Sequence, residues 1–161
     1  MCEYCGCQAV PAIAELTREH DEAVALISRT RTAHGANDVA AMANLARRIA
    51  EVLGPHTTVE EQGLFPALHD EFPDHLAALA DQHRQIEHVL GEAADGTPAD
   101  PAWPARLMAT LHLLREHILA EQDGVFPAAL SRLDPAQWEA VDAVRRNIEA
   151  GFSTQYRACP G

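Results

Sequence analysis

The chain writes one pattern twice, and that duplication limits its fold more than any other feature. His56, Glu60, Gly63, Phe65 and Pro66 return 61 positions later as His117, Glu121, Gly124, Phe126 and Pro127. Upstream of each copy stands a further histidine, His20 in Leu16-Thr17-Arg18-Glu19-His20 and His83 in Leu79-Ala80-Asp81-Gln82-His83. A long internal repeat implies a repeated structural unit. It predicts two similar helical hairpins, each with one His on its first helix and a His/Glu pair on its second.

The rest of the chain suits that reading. Its 161 residues suffice for one domain with its own core. Much of the 47% hydrophobic fraction is Ala and Leu, which favour helix, while 5% aromatics and few Val/Ile runs argue against a sheet. The expected architecture is all-α: a Cys-containing tail over 1–10, an up-down-up-down four-helix bundle over 11–131, and a short fifth helix with a tail over 132–161. A net charge of -12 argues against nucleic acid or an anionic membrane surface as a partner. No apolar run reaches the roughly 20 residues that a membrane span needs. The start, Met1 to Cys7, has neither the basic nor the apolar region of a signal peptide, so the expected location is cytoplasmic.

In order, Ile13, Leu16, His20, Ala23 and Ile27 recur at helical steps after Pro11, and Gly35 to Asp38 break the pattern. A second helix spans about Val39 to Leu68, with a kink expected at Gly54-Pro55 just before His56. The third should run from Pro73 to Ala93 with Leu76, Leu79, His83, Ile86, Glu87 and Leu90 inward. After the breakers Asp95 to Pro101, a fourth carries Leu107, Thr110, Leu113, Leu114, His117 and Glu121 and ends near Leu130. Asp134-Pro135 opens the fifth, whose face of Trp138, Val141, Val144 and Ile148 is expected on the outside of the bundle.

Two residues of an antiparallel helix pair share a height when the turn lies midway between them. The midpoint of His20 and His56 is residue 38, and that of His83 and His117 is residue 100, both inside breaker segments. For Glu60 and His83 it falls between Glu71 and Phe72, at the remaining turn. All four histidines therefore belong to one level, with each Glu one turn from its His on the same face. Glu87, four residues after His83, joins them by the same rule, whereas Val24 holds the matching place after His20. One His/Glu pair at this spacing is an ordinary surface ion pair. Its repetition at one height, flanked by apolar residues, is what points to metal ligation. His34, His69, His75, His88 and His112 fall at helix ends or outer faces.

His20, His56, Glu60, His83, Glu87, His117 and Glu121 are too many ligands for one ion. Four imidazoles, two bridging carboxylates, one oxygen of Glu87 and an oxo or hydroxo bridge fill about eleven of the roughly twelve positions of two octahedra. Nitrogen and oxygen donors without thiolate favour iron or manganese, with two iron ions preferred for reactivity with oxygen species.

The pattern His20, His56 to Glu60, His83, His117 to Glu121 resembles the hemerythrin-like, or HHE cation-binding, family over about Leu16 to Leu130. The resemblance implies a four-helix bundle with a non-haem di-iron centre, bridging carboxylates and a small ligand such as dioxygen on one iron. Oxygen-carrying hemerythrins have a fifth His where this chain has Glu87, and the added negative charge favours the ferric state. The expected function is therefore binding of, or reaction with, dioxygen, hydrogen peroxide or nitric oxide, including catalase-like peroxide breakdown. The alternatives are a non-catalytic oxygen, redox or iron sensor, and an iron donor for damaged iron centres. Cys2, Cys5 and Cys7 lie outside the motif and have the spacing of a thiol/redox or second metal site.

Overall fold

The structure is a computed structural model that describes residues 10–157 and, from residue 153 on, the backbone alone. Every regular element among the described residues is helical. Helix α1 is Pro11–Gly35. Helix α2 begins as Val39–Val59, passes through a π-helical turn at Glu60–Leu64 and ends with Phe65–Leu68. Helix α3 is Pro73–Gly91. Helix α4 repeats the design of α2, with Trp103–Ala120, a π-helical turn at Glu121–Val125, and Phe126–Arg132. Helix α5 is Pro135–Arg157.

Local chemistry starts and stops these helices where breakers were expected. Proline occupies the first turn of α1, α3 and α4, where its missing N–H costs nothing. Asn37 takes the left-handed conformation, with φ of 54°, in the turn after α1, and the Asp38 carboxylate accepts from Ala41 N at 2.9 Å to cap α2. Asp134 and Gln137 cap α5 reciprocally, each side chain accepting from the other's backbone N–H at 2.8 and 2.9 Å.

Helix α1 packs along α2 and α3 along α4, while contacts of α2 with α3 and of α1 with α4 join the pairs. The interior divides into two apolar clusters. One holds Leu26, Ile27, Ile49, Leu53, Ile86, Trp103, Leu107, Leu114 and Ile118; the other holds Ile13, Leu16, Val59, Leu64, Phe65, Leu79, Val125 and Phe126. Each of the four aligned histidines stands between members of the two clusters on its own helix. A polar layer thus crosses the apolar interior at one level.

Helix α2 stays α-helical through Gly54-Pro55 and becomes π-helical at Glu60. Pro55 lacks the N–H that would bond the carbonyl of Glu51, and Glu51 is exposed. Two expectations change, the form of α5 and the placement of Glu87. Helix α5 is long, not short, and it packs into the second cluster: Val141 is fully buried, and Trp138, Val144 and Ile148 pack around it. Its approach explains Gly63, where a Cβ would meet Val141 Cα at 3.2 Å; the matching Gly124 has nothing within 4 Å. Glu87, expected inward, is exposed. No helix among the described residues is long and apolar enough to cross a membrane.

Candidate metal centre

Two sets of buried donors meet in the polar layer. His20, His56, Glu60 and Glu121 form one and Glu60, His83, His117 and Glu121 the other, with the donor atoms of each set within 4.8 Å of one another. Both carboxylates belong to both sets. Six of the seven expected metal ligands are therefore brought together. The seventh, Glu87, is in neither set; it lines a cavity beside the histidines. Cys2, Cys5, Cys7 and Cys159 lie outside the described residues. His34, His69, His75, His88 and His112 are exposed.

The π-helical turns complete the site. Each begins at the shared Glu, whose carbonyl accepts from the N–H five residues on, Phe65 for Glu60 and Phe126 for Glu121. One additional residue turns the remainder of the helix by roughly 100° about its axis. Phe65 then stacks on His83, with centroids 5.9 Å apart and planes 4° from parallel, and Phe126 stacks on His20 at 5.4 Å and 11°. These rings are the edge of the second cluster against the layer.

Inside the layer, His56 Nε2 lies 3.1 Å from Glu60 Oε1, His83 Nε2 lies 3.2 Å from Glu60 Oε2, and His117 Nε2 lies 2.7 Å from Glu121 Oε1. Yet Glu60 Oε1 and Oε2, His83 Nε2, His117 Nε2 and Glu121 Oε1 are buried and have no hydrogen-bond partner among the described residues. They are close without being aligned as donor and acceptor. A buried polar atom left unsatisfied costs about 1–3 kcal/mol. A bound cation facing them would satisfy such atoms, so the residues present fit a metal site.

On their outer sides the imidazoles are held by acceptors. His56 Nδ1 donates to Glu19 Oε2 at 2.8 Å, His83 Nδ1 to Glu61 Oε1 at 2.7 Å, and His117 Nδ1 to Gln82 Oε1 at 2.8 Å. A proton kept on Nδ1 leaves the Nε2 lone pair for a metal. His20 differs: its Nε2 lies 3.0 Å from Glu121 Oε2 and its Nδ1 faces Gln122 Nε2 at 3.3 Å. Exchanging the two ends of the Gln122 amide would give His20 the arrangement of the others.

Sequence reasoning missed these holders, although the repeat contains them. Glu19 and Gln82 each precede the first His of their copy, and each holds the second His of that same copy. Glu61 and Gln122 each come directly after the shared Glu, and each holds the first His of the opposite copy. Matched Glu/Gln positions beside the matched His and Glu residues were the available signal. Arg145 of α5, which grips Glu19 with both terminal nitrogens, had none.

The electrostatics result from this crowding. Burial alone would lower the pKa of His83, but the carboxylates of Glu121, Glu60 and Glu61 outweigh it and raise the value to about 10. The same contest, with Glu60, Glu121 and Glu19 opposing burial, raises His56 well above the usual imidazole range. Glu121 is held well below the carboxylate range in spite of its burial because all four histidines surround it. Burial opposes the ionisation of Glu19 too, and His56 with Arg145 overcomes it.

Beside the layer is a cavity of about 10 Å³, lined by the four histidines, by Leu53, Ile86, Leu114 and Ile118, and by Thr57 and Glu87. That is about the space that one water-sized molecule requires.

No curated protein and no solved structure matches the chain. A family model does, over residues 12–129: the hemerythrin HHE cation-binding domain.

Proposed function

Because the chain belongs to the hemerythrin HHE cation-binding domain family, we propose that its two donor sets hold a pair of iron ions and that the protein binds or reacts with dioxygen, hydrogen peroxide or nitric oxide. The observation that carries this reading is the membership of Glu60 and Glu121 in both sets. His20 and His56 would hold one ion, His83 and His117 the other, with the two carboxylates common to both. Nitrogen and oxygen donors without thiolate suit iron, which supplies Lewis acidity and one-electron redox chemistry when bound.

The chain's own residues prepare the space for a small ligand. The cavity's apolar side chains exclude bulk water and admit only a molecule of a few atoms. Thr57 and Glu87 are the polar lining residues that lie outside both donor sets, and they would supply a hydrogen bond to a ligand and, from Glu87, a proton. The pairing of α1 with α2 and of α3 with α4, and the contacts that join the pairs, support an up-down-up-down order with α5 laid alongside.

Metal analysis and an optical spectrum of the purified protein test the core of this reading: two irons per chain support it, and iron-free protein that takes up none when supplied with ferrous ion overturns it. Mixing iron-loaded protein with hydrogen peroxide and following dioxygen tests turnover. Release no greater than that of Glu121→Ala removes peroxide breakdown and leaves ligand binding.

A further inference from the structure

The family match ends at residue 129, but the centre's hydrogen-bond network does not. We infer that Arg145, on α5, is a positioning residue for the metal-facing side of His56, acting through Glu19. The inference rests on the reading of His56 as a ligand.

Arg145 Nη1 donates to Glu19 Oε1 at 2.6 Å and Nη2 to Glu19 Oε2 at 3.1 Å, a two-pronged grip that fixes a carboxylate's plane as well as its place. Glu19 Oε2 also accepts from His56 Nδ1 at 2.8 Å. The Arg145 side chain is 14% exposed and that of Glu19 is 9% exposed, so the grip is set in the seam between α5 and α1 rather than at the surface. The chain of contacts runs from a helix beyond the matched segment to the ring that faces Glu60 and Glu121.

The second copy of the repeat provides an internal comparison. There Gln82 occupies the place of Glu19 and holds His117 Nδ1 at 2.8 Å through its amide oxygen. A neutral amide can be buried without a countercharge; a carboxylate cannot be at comparable cost. Glu19 is the stronger acceptor and makes His56 the stronger donor to a metal, but it stays inward only while Arg145 holds it. Without the guanidinium, Glu19 would turn toward water and His56 would lose its orienting bond.

Cobalt(II), whose visible bands report its ligands, is the probe, and competition with a chelator gives the affinity of each of the two sites in the full chain. Arg145→Met keeps the apolar stem and should weaken one site by about 10–100-fold while sparing the other, the usual cost of losing a residue that orients a ligand. Arg145→Lys, a point charge without the fork, should fall between. Adding Glu19→Gln to Arg145→Met copies the arrangement of Gln82 and should restore most of the loss, which a role in docking α5 alone would not allow. Loss of a positive charge by itself would tighten cation binding. An unchanged or tighter site in Arg145→Met, equal weakening of both sites, or no rescue by Glu19→Gln overturns the inference. Should Arg145→Met fail to fold by circular dichroism, Arg145→Lys decides, since an unchanged site there has the same meaning. Wild-type protein that binds no cobalt at these residues overturns the two-ion reading instead.

Discussion

His117 Nε2 lies 2.7 Å from Glu121 Oε1, both atoms buried, and neither is hydrogen-bonded among the described residues. A cation facing both would satisfy them together. Because Glu121 serves both donor sets, its loss should differ in kind from the loss of a single imidazole. Glu121→Ala is expected to lose both ions, whereas His20→Ala should lose one and retain the other at His83 and His117. Metal content after gel filtration checks this; equal loss in the two variants would contradict the sharing.

Metal-free protein should depend on pH through the same groups. The folded pKa of His83 is raised from 6.5 to about 10, so its contribution is complete below about pH 6.5 and is lost as pH rises toward 10. The folded pKa of Glu121 is depressed from 4.5, so its contribution is present above about pH 4.5 and is lost as pH falls through the depressed value. Both act fully between about pH 4.5 and 6.5, and the melting temperature without metal should be highest there. Metal must displace protons from the imidazoles, so uptake releases protons and tightens as pH rises. Calorimetry in two buffers of different ionisation heat measures that release.

Iron should stabilise the fold by mass action, about 2.7 kcal/mol at a free concentration one hundred times its dissociation constant. Differential scanning calorimetry with and without chelator should show the melting temperature falling on metal removal. The expected sign reverses only if unfolded chain binds iron more tightly than the buried layer does.

The repeat's two glycines predict opposite outcomes. Gly63→Ala would press a methyl group on Val141 Cα at 3.2 Å, and because the neighbour is backbone, α5 must shift. A loss of about 1–3 kcal/mol is expected. Gly124→Ala meets nothing within 4 Å and lies inside α4, so it should be neutral or stabilising by up to about 1 kcal/mol. Urea denaturation of the two variants makes the comparison.

Leu114 lines the small cavity. Leu114→Phe should fill it, costing about 1–3 kcal/mol of stability through overpacking, and should weaken binding of azide or nitric oxide while leaving the iron content at the wild-type value. Spectral titration of the iron-loaded variant tests this. Unaltered ligand affinity would mean that ligands enter elsewhere.

Most of the helical plan and the convergence of six His and Glu donors are legible in the chain's residues alone, because both rest on spacing. A step of four residues puts His56 with Glu60, and His117 with Glu121, on one helix face whatever surrounds them. A turn halfway between His20 and His56 sets their common height by counting alone. The breakers at Gly35 to Asp38 and Asp95 to Pro101 then mark where the chain reverses.

Glu87 shows where spacing stops being enough. It obeys the same step of four from His83, yet α3 is rotated so that Leu79, His83, Ile86 and Leu90 face inward and Glu87 reaches only the cavity. Rotation about a helix axis is settled by the competition of all its side chains for the core, and Glu87 loses to Ile86 and Leu90. The π-helical turns are likewise invisible to a count that assumes 3.6 residues per turn, although they bring Phe65 onto His83 and Phe126 onto His20.

Repetition along the chain was sufficient to bring out six converging His and Glu donors and their common level, since each depends on short-range periodicity and on counting between turns. The holders of the imidazoles were left to the packed helices. Glu19 and Arg145 are 126 positions apart, and only the docking of α5 through Val141, across from Gly63, brings a guanidinium to a carboxylate that no local rule pairs with it.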